Sequence, residues 1–186
     1  EPKALLPFLK NVDIDQDAFS EYLTFQYTIG NKTLFKNIFK LMPGHFLVTY
    51  KNSVQISKYW DVNFEIDHSL KFKDVTNQLL DLLEKSAKLH SVSDVPIGSY
   101  VSGGIDSSLM LKILSEQQNF SGDCFHGQFS EHKDCDESKF AILASNFSNA
   151  QINITDIKPH DFIQNFDRLV YHLDFPTAGP GSFPQF

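Results

Sequence analysis

The sequence has few cysteines, no long apolar run and no recognisable leader segment. Its two cysteines, Cys124 and Cys135, are too few to staple a secreted fold and indicate free thiols in a reducing compartment. No apolar stretch approaches the roughly 20 residues that cross a bilayer, and the first residues lack the basic and apolar regions of a signal peptide. These absences predict a cytoplasmic protein without a membrane partner.

The chain also lacks the basic surplus of a protein that wraps nucleic acid. Its 16 Lys and Arg residues face 23 Asp and Glu residues, which gives a net charge of -7. The hydrophobic content of 41% over 186 residues is enough for a packed core. We therefore expect a folded protein that does not bind nucleic acid, in which a local loop can still bind a small anion.

The first sixty residues predict a small α+β region. They are rich in Phe, Tyr and Leu and show no regular alternation of strands and helices. A short helix is predicted over residues 15–27. Strands over 44–50 and 53–59 are predicted to form an antiparallel hairpin around Lys51-Asn52.

The rest of the chain predicts an α/β fold. An amphipathic helix is indicated by apolar residues at helical spacing from Val75 to Ala87. The predicted elements that follow it are strands at 97–101, 124–129 and 151–154, alternating with helices at 106–117, 135–147 and 159–173. Such alternation favours a parallel sheet with flanking helices.

The segment after the first of these strands has the composition of a phosphate-binding loop. Gly103 and Gly104 allow the backbone N–H groups to converge on an anion, and serine hydroxyls and the following helix N-terminus add donors. Asp106 is a predicted Mg²⁺ ligand, because a carboxylate beside phosphate needs a cation between them. A tight turn in which Asp106 and Ser107 cap the helix would use the same residues.

Residues 94–108, DVPIGSYVSGGIDSS, resemble the signature D-V-P-V/I-G-x-x-L/V-S-G-G-x-D-S-S of the glutamine-hydrolysing asparagine synthetases. Further stretches that resemble the same family are Ala4–Pro7, Thr33–Phe35, Met42–His45 and Tyr59–Asp61. The resemblance implies that residues 1–60 are the C-terminal part of a glutaminase domain of the N-terminal nucleophile type. Residues 61–186 would then begin an ATP-pyrophosphatase domain of the adenine nucleotide alpha hydrolase-like fold.

The resemblance also implies a reaction and its ligands. With ATP and Mg²⁺, the enzyme would adenylate a carboxylate substrate, release pyrophosphate, and let ammonia from glutamine displace AMP. The residues implied to hold pyrophosphate and Mg²⁺ are Ser102, Gly103, Gly104, Asp106 and Ser107, with Asp106 as the metal ligand. Val101 and Gly127 would contact the adenosine part. No catalytic side chain is assigned, and homodimerisation is left open.

Two departures from the family pattern limit these expectations. The chain starts at Glu1 without the family's terminal cysteine, and the family's acidic Gly-rich ATP segment would lie beyond its last residue, so we expect it to be inactive alone. The stretch Phe175–Pro180 has no Arg for a substrate aspartate. The acceptor is thus aspartate or another carboxylate, as in a β-lactam-synthetase-like enzyme, and a non-catalytic nucleotide-binding module is a further alternative.

Two other residue groups allow competing interpretations. Asp134 and Glu137 are three residues apart, which favours a helix capping box over a role as acidic site residues. Four residues are of the types that bind zinc, but their spacing matches no common zinc module and favours a buried thiol instead. They are Cys124, His126, His132 and Cys135.

Overall fold

The structure is a computed structural model that describes residues 1–132, 134, 136–175 and 180–185. Its helices are α1 (Gln16–Phe25), α2 (Phe72–His90), α3 (Ile105–Ser115), α4 (Ser138–Phe147) and α5 (Pro159–Leu173), with short 3-10 helices at Pro2–Phe8 and Pro180–Gln185. Its strands are β1 (His45–Tyr50), β2 (Ser53–Lys58), β3 (Ile97–Tyr100), β4 (Phe120–Gln128) and β5 (Gln151–Asp156).

The chain divides into two compact units. The first contains Glu1–Ile66 and Asn165–Ser182, and the second contains Asp67–Gln164 and Phe183–Phe186. The division passes through α5, whose residues up to Gln164 belong to the second unit. No helix of the described residues combines the length and the apolar character needed to cross a membrane.

The first unit contains the predicted helix and hairpin. The Asp15 carboxylate accepts a hydrogen bond from the backbone N–H of Ala18 at 2.9 Å, which caps α1, and Gln26 ends the helix in the left-handed conformation. Strands β1 and β2 pair antiparallel up to Tyr50 and Ser53, with Lys51 at φ 53° in the turn. Both sequence predictions are confirmed.

The second unit contains a three-stranded parallel sheet in the order β3-β4-β5, and α3 and α4 pack against it. Cys124 of β4 lies opposite Ser99 of β3 and Ile152 of β5. This arrangement confirms the predicted α/β class with helices flanking a parallel sheet. Because the strands are parallel, their carboxyl ends meet at one edge of the sheet.

A small apolar core joins the sheet to its helices. Val101, Leu111, Cys124 and Ala141 are each at most 2% exposed and contact one another. Val101 directly follows β3 and Leu111 lies on α3, so the core holds the segment between them at both ends. Burial of the Cys124 thiol raises its pKa, which is the expected behaviour of an unreactive core cysteine.

Three details differ from the sequence predictions. Strand β4 begins at Phe120, four residues before the predicted start, because Phe120 and Asp123 pair with the neighbouring strands. The predicted capping box of Asp134 and Glu137 is wrong, because α4 begins at Ser138 with Glu137 as its N-cap. The N–H of Ser138 donates to the Asp136 carboxylate at 3.0 Å. Strand β3 ends at Tyr100, one residue before the predicted end, and Tyr100 is 61% exposed.

Candidate functional site

The predicted phosphate-binding loop, residues 102–108, lies at the carboxyl edge of the parallel sheet. It leaves β3 through the buried Val101 and enters α3 at Ile105, so its backbone connects a core strand to a helix N-terminus. This is the position at which open α/β sheets bind ligands. The structure brings Val101, Ser102, Gly103, Gly104, Asp106 and Ser107 together on this one segment.

Gly103 lets the loop approach helix α4 more closely than any other residue could. Its φ is +88°, in the left-handed region, and a Cβ at this position would lie 2.5 Å from Phe140 Cβ and 2.6 Å from the backbone nitrogen of Ala141. Contacts this short do not occur for real side chains. The loop therefore rests directly on the first turns of α4, and both the conformation and the space require glycine.

Helix α3 begins without a side-chain cap. Gly104 is its N-cap in extended conformation, and the described residues place no capping side chain on the first N–H groups. Asp106 lies in the first turn and is exposed. The alternative in which Asp106 and Ser107 cap the helix is therefore wrong, and the positive end of the helix dipole stays open toward solvent.

Two serine hydroxyls hold the loop in a closed network. Ser107 Oγ accepts from the N–H of Ser102 at 3.2 Å and lies 2.9 Å from Ser102 Oγ. The N–H of Gly104 donates to Ser102 Oγ at 3.3 Å. Within the described part of the chain, the Gly103 N–H has no acceptor. The loop thus presents the free N–H of Gly103, the uncapped first N–H groups of α3 and several weak internal bonds that phosphate oxygens could replace.

Val101 has little backbone capacity left for a ligand. Its N–H donates to the carbonyl of Phe125 at 2.9 Å, and its carbonyl lies 2.8 Å from His126 Nδ1. A carbonyl oxygen has two lone pairs, so it can accept one more hydrogen bond. The adenosine contact predicted for Val101 would therefore have to use that oxygen, because the side chain lies in the core.

Gly127 lies on β4 and is covered by other residues of the second unit. A Cβ here would lie 2.7 Å from Pro184 Cβ and 2.9 Å from Ile157 Cδ1. Its backbone pairs with Thr155 in the sheet. Gly127 therefore allows Pro184 to lie directly over the end of β4, and an adenosine contact here remains a prediction.

A polar network that the sequence predictions did not include joins the end of β4 to the start of α4. Gln128 donates from Nε2 to Asp136 at 3.0 Å. This bond has the largest effect on the pKa of Asp136, which lies below its usual range, and the bonds from Ser138 lower it further. Because Asp136 also accepts from the N–H of Ser138, the network fixes the start of α4. Cys124 and His126 are two residues apart on β4 and therefore share its buried face, as Gln128 does. This spacing is the sequence signal that polar side chains of β4 point inward.

Side chains of the types that bind metals are not grouped in the described ranges. No set of three or more His, Cys, Asp or Glu residues there is arranged to hold an ion. In the alternative zinc set, Cys124 lies in the apolar core and Cys135 lies outside the described residues. A cation at the loop would have to complete its shell with ligand oxygens and water, as Mg²⁺ commonly does.

An ion-pair cluster ties together the carboxyl ends of β4 and β5. Asp156 accepts from Lys158 Nζ at 2.7 Å and from both the hydroxyl and the N–H of Ser130, at 2.7 and 3.1 Å. These partners, of which Lys158 has the largest effect, lower the pKa of Asp156 to about 2. The cluster links the ends of β4 and β5 and leaves both charged side chains partly exposed.

The cluster predicts a pH-dependent contribution to stability. Because the folded pKa of Asp156 is below its ordinary value, the stabilisation is complete above pH 4 and is lost as the pH falls toward 2. We expect Asp156→Asn to unfold at lower urea than the parent at pH 7, with the difference shrinking below pH 4. Asp81→Asn, at an exposed position of α2, is the control. A difference that is constant from pH 7 to pH 3 would contradict the assignment.

Comparison with known families agrees with this geometry. The sequence model of the family described as Asparagine synthase matches residues 78–186, and the one described as Glutamine amidotransferase domain matches residues 1–60. The chain therefore belongs to the glutamine-hydrolysing asparagine synthetase family.

Individual relatives cover most or all of the chain. Glutamine-hydrolysing asparagine synthetase 1 of Bacillus subtilis is 28% identical, covering 100% of this chain and 29% of the relative. Amidase chyE of Penicillium rubens is 28% identical, covering 81% and 25%. Putative asparagine synthetase 2 of Methanocaldococcus jannaschii is 24% identical, covering 95% and 34%. The chain thus spans about a third or less of these relatives' length.

Proposed function

We propose that this chain is the part of an ATP-dependent, glutamine-hydrolysing amidotransferase that holds the pyrophosphate portion of ATP. The observation that carries the proposal is the loop at Gly103 and Gly104, which is pressed against α4 and followed by an uncapped helix N-terminus. Free N–H groups and a helix dipole at the edge of a parallel sheet suit phosphate oxygens. The Asparagine synthase match over the same residues supports this ligand.

The residues of the loop fit ATP and Mg²⁺. Ser102, Gly103, Gly104 and Ser107 would bind the phosphates through N–H and O–H donors, and the exposed carboxylate of Asp106 would be the metal ligand. When bound, Mg²⁺ neutralises charge that develops on the departing pyrophosphate. The chain's own contribution is to keep these donors in a fixed orientation, so that little reorganisation accompanies the reaction.

We also propose a division of labour along the chain. Residues 1–60 would be the end of the glutaminase domain, which releases ammonia from glutamine, and residues 61–186 would begin the synthetase domain. The two family matches support this division. The first compact unit contains Glu1–Ile66 but also Asn165–Ser182, so the compact units follow the division only in part. A cytoplasmic location and a homodimer remain predictions.

The full-length product of the gene that encodes this chain provides the test. Incubated with glutamine, Mg-ATP and a panel of carboxylic acids that includes aspartate, it should form AMP and pyrophosphate in amounts equal to the new amide. Chromatography of the nucleotides together with mass spectrometry of the acceptor would measure both. Absence of AMP with every acid and with either glutamine or ammonia as the nitrogen source would refute the proposal.

A different acceptor is the second candidate. The stretch that lacks an Arg, Phe175–Pro180, falls largely on residues 176–179, outside the described residues, and relatives from Penicillium rubens and Gibberella zeae are named amidases. The missing Arg and the names of these relatives would both fit an acceptor acid other than aspartate, as in a β-lactam-synthetase-like enzyme. Preference for that acid over aspartate in the panel would support this candidate, and ATP binding without turnover would indicate a non-catalytic module.

A further inference from the structure

His126 is a buried histidine that contacts the backbone at the start of the loop. It lies on β4 two residues after Cys124, and only 7% of its surface is exposed. Its Nδ1 atom lies 2.8 Å from the carbonyl oxygen of Val101. A carbonyl can only accept a hydrogen bond, so the contact assigns a proton to Nδ1.

The other ring nitrogen of His126, Nε2, has no hydrogen-bond partner among the described residues. With the proton on Nδ1, Nε2 of the neutral ring carries a lone pair, and within the described ranges this buried atom has no hydrogen-bond partner. An unpaired buried acceptor destabilises a fold, and an apolar side chain at position 126 would avoid it. The bond from Nδ1 to the Val101 carbonyl offsets this cost at most in part, so histidine adds little net stability here.

Direct contact between His126 and a ligand does not fit the geometry. Nε2 is enclosed by protein, and Nδ1 is already bonded to Val101. Any effect on the loop must therefore pass through the carbonyl of Val101. That carbonyl and the N–H of Ser102 belong to the same planar trans peptide, so the direction of one determines the direction of the other.

The peptide groups on both sides of the Val101 Cα atom are consequently fixed by β4. The preceding peptide donates its N–H to Phe125, and the following one is held by His126. The N–H of Ser102 is the first donor of the loop and currently meets Ser107 Oγ at 3.2 Å. Without the imidazole, this peptide could rotate and the first donor would lose its fixed direction.

We propose that His126 is a positioning residue: its Nδ1–H holds the Val101 carbonyl and thereby aims the Ser102 N–H at a phosphate oxygen of ATP. This inference rests on the proposed function, because it assigns a phosphate to the loop. It predicts an effect on ATP affinity that is separate from any effect on folding. Substrates bound elsewhere should be unaffected.

The experiment compares two near-isosteric variants of the full-length protein. His126→Leu removes the donor, whereas His126→Asn places an amide N–H where Nδ1 lies. We expect His126→Leu to raise the KM for ATP about tenfold, the effect of losing one net hydrogen bond, and to leave the KM for glutamine unchanged. His126→Asn should restore most of the ATP affinity. Pyrophosphate release measures both constants.

A purely structural role would give a different pattern. Less folded protein lowers kcat and the melting temperature without changing the KM for ATP, and that result would overturn the proposal. If His126→Leu does not fold, His126→Gln replaces it, because its amide reaches the place of Nε2 instead of Nδ1. An ATP KM equal to that of the parent in His126→Gln would overturn the proposal as well.

Failure of the proposed function would be recognisable in the parent protein. A parent that binds Mg-ATP by calorimetry but releases no pyrophosphate refutes the reaction, and the ATP dissociation constants of the same variants then decide the role of His126. A parent that neither binds ATP nor releases pyrophosphate refutes both. Equal dissociation constants in the parent and in His126→Leu refute the positioning role alone.

Discussion

Replacing Gly103 with alanine is expected to destabilise the second unit by about 3 kcal/mol, since a left-handed non-glycine residue and an overpacked contact each cost roughly 1–3 kcal/mol. The new Cβ would lie 2.5 Å from Phe140 Cβ and 2.6 Å from the nitrogen of Ala141, so the loop must move away from α4. Because the donors move with it, we also expect most of the ATP-dependent pyrophosphate release to be lost. Urea unfolding and pyrophosphate assays of the full-length protein measure the two effects.

Gly104→Ala is the matched control in the unfolding measurement. Gly104 has a φ of -67°, which any residue adopts, and a Cβ added there would have Ser102 Oγ as its nearest neighbour, 3.4 Å away. Alanine is less favourable than glycine at an N-cap, so the free energy of unfolding of this variant should stay within about 1 kcal/mol of the parent. If Gly103→Ala were equally stable, the close packing of the loop on α4 would be wrong.

The contrast between adjacent glycines shows how the loop is held. Gly103 is constrained by a helix that starts 35 residues later in the chain, at Ser138, whereas Gly104 is constrained only by the helix it begins. The polar network at Gln128 and Asp136 fixes that later helix. Loop geometry thus depends on the strand β4 and its polar side chains as well as on the loop sequence.

Local patterns are sufficient to predict most of the elements. The hairpin around Lys51-Asn52 follows from turn chemistry, and α5, with the predicted bounds 159–173, begins at a proline that favours a helix start. The position of the loop between β3 and α3 follows from glycines and serines placed between a strand and a helix. Each of these features depends on residues that are neighbours in the sequence.

The remaining features depend on residues that are distant in the sequence. The bond from His126 to Val101 joins residues 25 positions apart, and its existence requires knowing that β3 and β4 are adjacent. The cap of α4 is predicted at Asp134 because two carboxylates share a capping spacing, but the helix begins after Glu137, and the N–H of Ser138 donates to Asp136. Spacing restricts such contacts without determining them.

Asp106→Asn should have the other large effect, on catalysis and not on stability. The carboxylate is exposed in the first turn of α3, and asparagine keeps its shape while removing the charge that would bind Mg²⁺. We expect pyrophosphate release to fall about a hundredfold, equivalent to roughly 3 kcal/mol of lost transition-state stabilisation. The free energy of unfolding should change by no more than about 1 kcal/mol, the usual effect of one charge at a helix N-terminus.

The matched control for Asp106→Asn is Glu116→Gln at the other end of the same helix. Glu116 is exposed and pairs with Lys112 at 2.8 Å, so the same change from carboxylate to amide there tests charge without the loop. Titration with Mg²⁺ at fixed ATP separates the roles, because only a metal ligand alters the Mg²⁺ concentration that gives half-maximal activity. An unchanged Mg²⁺ dependence in Asp106→Asn would show that the metal is held by ATP alone, and the loop would then bind pyrophosphate only through its N–H and hydroxyl donors.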